Sequence, residues 1–245
     1  MSAFAAGLGV VLGQKATEEK SNEITAIPEL LKTLALQGTI VTIDAMGTQT
    51  KIAETIRRGE ADYVLCVKDN HPNLLDSIMF AGLGPEGALQ PCSTDEVTAT
   101  KPNHGRLEVR RCWAYDAVDR LYKHEQWQDI RSFAIIERER TQDGRTSIER
   151  AYYISSLPAD AARLARAVRS HWEVENRLHW CLDVQLADDQ SRTRSGFAAN
   201  NLAIVRHIVM NLLRLNTTSK VGIKNKRLMA SASDEFRAEV LGFMT

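Results

Sequence analysis

TIVTIDAMGTQTKIAETIRRGEADYVLCV, residues 39–67, decides the fold. Residues 39–44 are β-branched and apolar as far as Asp44. Residues 48–58 have helical character and stop at Gly59, and residues 61–67 are apolar again. Two buried strands joined through a helix imply a parallel pair with a right-handed crossover. In such sheets ligands gather beyond the carboxyl ends of the strands. Asp44 stands at one carboxyl end, and Lys68-Asp69-Asn70 at the neighbouring one.

Upstream, residues 2–6 and 10–14 are short apolar runs separated by Gly7-Leu8-Gly9, which reads as a hairpin. Lys20 to Glu23 reads as a helix start with Ser21 or Asn22 as N-cap. Pro28 is expected in the first turn of a helix carrying Leu30, Leu31 and Leu34 and ended by Gly38. Downstream, residues 82–103 are rich in Gly, Pro, Ser and Thr and read as a loop. Residues 107–113, 132–138 and 151–155 read as strands, with Asp143-Gly144 at a hairpin turn. After Pro158 the pattern turns helical, over residues 160–183 and again over 200–215.

The first of these helices carries an anomaly. Leu164, Val168, His171, Glu175, Leu178 and Leu182 follow one another at spacings of 4, 3, 4, 3 and 4. That rhythm places them on one helix face. Glu175 is therefore expected where a core residue should point, and a carboxylate there is costly unless paired, protonated or bound to a metal. Asp44 and Glu175 lie 131 positions apart. Two carboxylates from different elements suit a divalent cation, and hard oxygen ligands select magnesium or manganese. The structural alternative is a buried ion pair with Arg169 or Arg177. On this face His171 reads as a neutral packed histidine. Trp172 and Trp180, at helical spacing, read as core. Asp183, Asp188 and Asp189 read as a second acidic patch in loop or cap roles.

Composition narrows the class without naming it. The chain has 245 residues, 44% hydrophobic and 25% charged, with formal net charge zero. It can bury a sizeable core in one or two domains, and any polyanion site must come from local charge. Cys66, Cys92, Cys112 and Cys181 form no C-x-x-C pair, which disfavours zinc and fits a reduced, cytoplasmic chain. No apolar run approaches the roughly 20 residues of a membrane span. The apolar start, residues 1–11, lacks a basic flank and does not read as a signal peptide. Local positive charge gathers late: Arg206, Arg214, Lys220, Lys224, Lys226 and Arg227 fall between Asn201 and Ser233 with no acid among them. Such a segment can track a nucleic-acid backbone, and can equally be a solvated face.

Six stretches carry a resemblance. They are Lys20-Ser21-Asn22-Glu23-Ile24, Thr42-Ile43-Asp44-Ala45-Met46-Gly47, Asp62-Tyr63-Val64, His104-Gly105-Arg106, Tyr153-Ile154-Ser155-Ser156-Leu157 and His171-Trp172-Glu173-Val174-Glu175-Asn176. Three further runs, residues 178–184, 200–203 and 223–227, extend it over nearly the whole chain. Together they resemble the H-repeat-associated (ISAs-type) insertion-sequence transposases. The resemblance implies a ribonuclease H-like α/β fold, with a mixed sheet flanked by helices and a β-rich insertion between the second and third acidic positions. It divides the chain into a core part at 1–81, the insertion at 82–157, a helical core part at 158–215 and a basic tail at 216–245.

The same resemblance implies a D-D-E triad holding two Mg2+ or Mn2+ ions, with Asp44 as second aspartate and Glu175 as final glutamate. Lys68, His171, Arg206, Lys224, Lys226 and Arg227 become the candidate nucleic-acid contacts. DNA, as insertion-sequence ends and target, becomes the expected partner. One departure stands out: residues 1–43 contain no aspartate, so the family's first metal ligand and its strand are missing from this chain. The expectation is a truncated form, inactive alone. The alternative is a non-catalytic remnant that binds DNA, or dimerises or pairs with an intact transposase and modulates it.

Overall fold

The computed structural model describes residues 1–15, 23–83, 89–98, 107–142, 144–193 and 195–243. The proposed caps Ser21 and Asn22, the run His104-Gly105-Arg106 and the turn residue Asp143 lie outside them. The chain forms two compact units, Met1–Glu18 with Trp172–Thr245, and Glu19–His171.

The first unit opens with the expected hairpin, β1 (Ser2–Ala5) and β2 (Val10–Gln14), paired antiparallel. Its turn needs Gly9, whose φ is +72°, a backbone shape that glycine adopts without Cβ strain. The Arg177 guanidinium also closes over this glycine, 2.3 Å from where a Cβ would stand.

The second unit holds α1 (Glu23–Leu31), β3 (Ile40–Ile43), α2 (Thr50–Arg58), β4 (Asp62–Val67), α3 (Pro72–Leu83), β5 (Ser93–Thr98), β6 (Leu107–Tyr115), β7 (Ser132–Gln142), β8 (Arg145–Ser155) and α4 (Ala161–His171). Its six strands form one sheet in the order β3-β4-β8-β7-β6-β5. Strands β3 and β4 are parallel, with Ile40 opposite Asp62 and Ile43 opposite Leu65. Every other pairing is antiparallel. The β3-α2-β4 unit thus forms as its sequence pattern predicts. Ile52, Ala53 and Ile56 bury one face of α2, and the helix stops at Gly59, whose N–H bonds back to the Thr55 and Ile56 carbonyls.

One face of the sheet packs Ile52, Ile56, Tyr63, Leu65, Ile78, Phe133, Ile135 and Ile154 into the larger core. The other packs Val64, Cys66, Cys112, Ala114, Ala134 and Tyr153 beneath Leu164, Ala167 and Val168 of α4. Side chains alternate between the two faces along each strand, which is why β4 is apolar almost throughout.

Two expectations change here. Residues 93–98, expected in a loop, form β5. Its sequence STDEVT is polar because it is an edge strand, paired with β6 and mostly exposed. Helix α1 begins at Glu23, so Pro28 lies inside it, and it ends at Leu31 with Leu34 packing from the following turn. The strands of residues 82–157 also continue the β4 sheet through β8.

The first unit resumes at Trp172. Residues Glu175–His179 form a π turn, followed by α5 (Trp180–Leu186), α6 (Ala198–Leu215), α7 (Ile223–Ala232) and α8 (Asp234–Val240). Its core is Val11, Leu178, Cys181, Leu182 and Met210. The Asn211 amide completes the edge of β2: it accepts from the Val11 N–H at 2.8 Å and donates to the Val11 carbonyl at 2.7 Å. Residues 160–183 are therefore two α-helices with an interruption, not one continuous helix. No helix among the described residues is long and apolar enough to cross a membrane.

Candidate metal and nucleic-acid site

Asp44 follows the last residue of β3 and caps a 3-10 turn, Ala45–Gly47. Its carboxylate is exposed and accepts one long bond, 3.5 Å, from the Gly47 N–H. An ionised carboxylate offers about four acceptor positions, so Asp44 keeps capacity for a cation.

The turn beneath it is fixed from several directions. Thr48, fully buried, donates its hydroxyl to the Cys66 carbonyl at 2.6 Å, tying the end of β4 to the turn after β3. Asn70 donates to the Ala45 carbonyl at 2.6 Å. His71 Nε2 lies 2.6 Å from the Thr48 carbonyl, as a donor must. Gly47 is packed so closely that an added Cβ would fall 2.2 Å from Ile43 Cγ2 and 2.9 Å from Ile27 Cδ1. These supports were not foreseen from the sequence; the D-x-x-G-T run after a strand was the available signal.

Lys68 is exposed just past β4. Burial pushes the Cys66 thiol up; the Lys68 charge opposes that rise and the Asp44 charge adds to it. Both charges therefore act on one sheet end. His171, half-buried at the end of α4, sits with Nδ1 3.1 Å from the Thr42 hydroxyl on β3. Thus Asp44, Lys68 and His171 converge on the β3–β4 end of the second unit.

Glu175, Arg206, Lys224, Lys226 and Arg227 belong to the first unit. Glu175 is exposed, whereas Leu164, Val168, Leu178 and Leu182 are buried. The apolar-stripe reading of Glu175 is corrected by the π turn that starts at this residue. A π turn closes i→i+5 and breaks the 3.6-residue phase, and such turns recur at functional sites. Trp172 and Trp180, expected in the core, are 58% and 54% exposed. The alternative partner Arg177 is committed to Glu173 at 2.7 Å and to the Ala6 carbonyl at 2.8 Å.

The late basic residues divide. Arg206 bonds Asp188 at 2.5 Å, which accounts for one acid of the second patch. In the same patch, partial burial and then the neighbouring Asp189 and Asp188 charges raise the Asp183 carboxyl. Arg227 is exposed but donates to the Gln185 carbonyl. Lys224 is exposed. Lys226 is buried, its ammonium on the Leu213 carbonyl at 3.0 Å and the Asn216 carbonyl at 2.5 Å, where it closes the end of α6. That geometry corrects the reading of Lys226 as a phosphate contact. Replacing it with Met is expected to lower stability by about 1–3 kcal/mol, since one buried and one half-buried carbonyl lose their donor. Urea unfolding of Lys226→Met beside Lys224→Met checks this: equal stability of the two variants contradicts it.

Among the described residues, no group of three His, Cys, Asp or Glu comes together as a metal-binding set. Asp44 itself fits a hard cation, with an oxygen donor, exposure and spare acceptor capacity. It is one ligand of the several that such an ion takes.

A mixed α/β sheet flanked by helices, with an acidic residue at the carboxyl end of its parallel pair, is the ribonuclease H-like architecture of DDE transposases. The family model "Transposase DDE domain" matches residues 1–212, and the chain belongs to that family. It is similar to the "H repeat-associated putative transposase YhhI" of Escherichia coli (strain K12), 37% identical over 98% of this chain and 65% of the relative. It is likewise similar to the "Putative transposase YncI" of Escherichia coli O157:H7, 38% identical over 98% of this chain and 62% of the relative. The chain thus spans less than two thirds of the length of these relatives. Members of the family generally use divalent metal ions.

Proposed function

We propose that the chain carries part of the catalytic machinery of an insertion-sequence DNA transposase, with Asp44 and Glu175 as two ligands of a divalent metal site. The observation that carries this reading is Asp44: an exposed carboxylate with spare acceptor positions, at the carboxyl end of a parallel strand pair, in a chain of the transposase DDE domain family. The reaction is phosphodiester hydrolysis at an element end, which frees a 3′-hydroxyl, followed by attack of that hydroxyl on target DNA. When bound, the Mg2+ or Mn2+ ions supply activation of the attacking oxygen and neutralisation of charge on the leaving one.

The chain's own residues bind and orient. Thr48, Asn70 and His71 hold the Asp44 turn. Lys68 offers its ammonium to a non-bridging phosphate oxygen, where charge stabilisation counts most. His171 lies at the same strand pair and supports it through Thr42.

A protein made of these 245 residues alone, with no aspartate before Asp44, is expected to bind DNA without cutting it; the second reading is a module that pairs with a second copy or an intact transposase and modulates it. Incubation with supercoiled plasmid and Mg2+ or Mn2+ tests this. The expected result is salt-dependent binding with no nicking above the protein-free control. Robust metal-dependent nicking, lost in Asp44→Asn, would overturn this expectation while leaving the site.

A further inference from the structure

The antiparallel half of the sheet carries very different charge on its two faces. On one face, Glu96, Arg111, Glu137 and Arg150 stand opposite one another across β5, β6, β7 and β8. They are satisfied by one another: Arg111 reaches Glu96 at 2.9 Å, Glu137 at 3.1 Å and Glu139 at 2.8 Å, and Arg150 reaches Glu137 at 2.8 Å. Opposite charges directly across strands stabilise a sheet, and nothing in that ladder asks for a ligand.

The other face, shared with α4, is unbalanced. Arg110 and Arg138 are directly opposed across β6 and β7, like charge against like. Arg140 follows on the same face of β7. Arg169 stands on α4: burial lowers the Arg110 guanidinium, the Glu108 charge opposes that fall, and the Arg169 and Arg138 charges add to it. Three acids share this face with the four arginines: Glu108, directly opposite Arg140, Glu149, opposite Arg138, and Asp95, opposite Cys112. Glu108 pairs with Arg110, and Glu149 pairs with Arg138. The Arg140 Nε–H is buried with no hydrogen-bond partner among the described residues. Like charges gathered around an unmet donor are costly in the free protein, and a polyanion relieves both defects at once.

The place of this cluster gives it meaning. Tyr152 of β8 pairs with Val67 of β4 and with Ile135 of β7. Glu149, opposite Arg138, lies three residues further along β8, in the direction in which β4 runs out to Lys68. The arginines thus lie at the end of the sheet where Asp44 and Lys68 stand. They also share the face of Cys66, Cys112 and Ala134. Three strand spacings of about 4.8 Å separate β3 from β7, or ~14 Å.

We propose that Arg110, Arg138, Arg140 and Arg169 form a phosphate-binding row on the α4 face of the sheet, which holds the backbone of duplex DNA on the side of the molecule that carries Asp44. The proposal rests on the transposase reading for its choice of DNA as the polyanion. It does not need the metal site.

Fluorescence anisotropy with a labelled 30-base-pair duplex, in EDTA and over a salt series, tests it. In Arg138→Gln/Arg140→Gln, affinity is expected to fall at least about tenfold and the slope of log K against log salt to shrink by about 1.8, two contacts at about 0.9 each. Arg58→Gln/Arg120→Gln, which removes two exposed arginines elsewhere in the same unit, is expected to change the slope by under about 0.5 on the same scale. Ser147→Glu adds an acid at an exposed position opposite Arg140 and removes no arginine, and is expected to weaken binding in the same direction. It carries the test if the double variant does not fold. The proposal is overturned by absence of DNA binding at low salt, by a double variant or Ser147→Glu that binds like the parent, or by an equal loss in the Arg58/Arg120 control. Because EDTA removes metal, a failed metal site with an intact arginine effect would sink the catalytic reading and leave this one standing.

Discussion

Asp44→Asn and Glu175→Gln are each expected to weaken Mn2+ binding at least about tenfold, and the double variant to bind no more weakly than the worse single one. The amides keep the size of the acids and remove their charge, so shape is held while the hard anionic donor is lost. Losing a hydrogen-bonded supporter of a metal ligand already costs about 10–100-fold in affinity, and a ligand should cost no less. The double-mutant cycle matters because Asp44 and Glu175 lie in different units. If they share an ion, removing either leaves the other with little to hold, and the two losses overlap. If each binds its own ion, the losses add and each single variant halves the stoichiometry. Electron paramagnetic resonance of free Mn2+ gives both the affinity and the count. Independent, additive losses would sink the shared site. Near-ultraviolet circular dichroism of each variant reports whether the fold survived.

The sequence was most legible where burial is two-sided and local. The β3-α2-β4 unit could be read because Val64, Leu65 and Val67 are buried and Gly59 ends the helix between the strands. The hairpin at the start could be read because Gly7 and Gly9 bracket its turn. Legibility failed where a physical cause leaves no periodic trace. Strand β5 has one paired edge and an exposed surface, so STDEVT carries no apolar signature. The π turn at Glu175 adds a residue to the helical phase without a marker in composition, and Glu175 and Trp180 lie exposed at it. Lys226 reads as solvated because lysine ordinarily is. Its long stem reaching the carbonyls that end α6 is a tertiary fact. The arginine row was hidden because Arg110 lies on β6, Arg138 and Arg140 on β7 and Arg169 on α4, and only the register brings Arg110 and Arg138 opposite one another.

Gly47→Ala is expected to destabilise the second unit by about 1–3 kcal/mol and to weaken Mn2+ binding along with Asp44→Asn, although residue 47 offers no ligand. The cost is that of forcing an extra methyl into a packed site. Gly47 needs no left-handed backbone; it needs space. Its missing Cβ leaves room for Ile43 Cγ2 at 2.2 Å and Ile27 Cδ1 at 2.9 Å from the position a Cβ would take. Ile27 Cδ1 is the free end of a side chain and can rotate away. Ile43 Cγ2 is fixed to a β-branched carbon with few rotamers in a strand, so the backbone of residue 43 must give. Asp44 is the next residue, and its turn is pinned from the other side by Thr48 on the Cys66 carbonyl and Asn70 on the Ala45 carbonyl. Strain entering at Ile43 therefore emerges as a displaced carboxylate. The partner variant decides the matter: Ile43→Ala deletes the clashing methyl and costs stability on its own, but Gly47→Ala/Ile43→Ala should recover Mn2+ affinity relative to Gly47→Ala alone. A coupling energy of about 0.5–3 kcal/mol is the range for residues in contact. Simple additivity in both unfolding and Mn2+ titration would mean that Gly47 serves the turn in some other way, and that Asp44 is not positioned through β3.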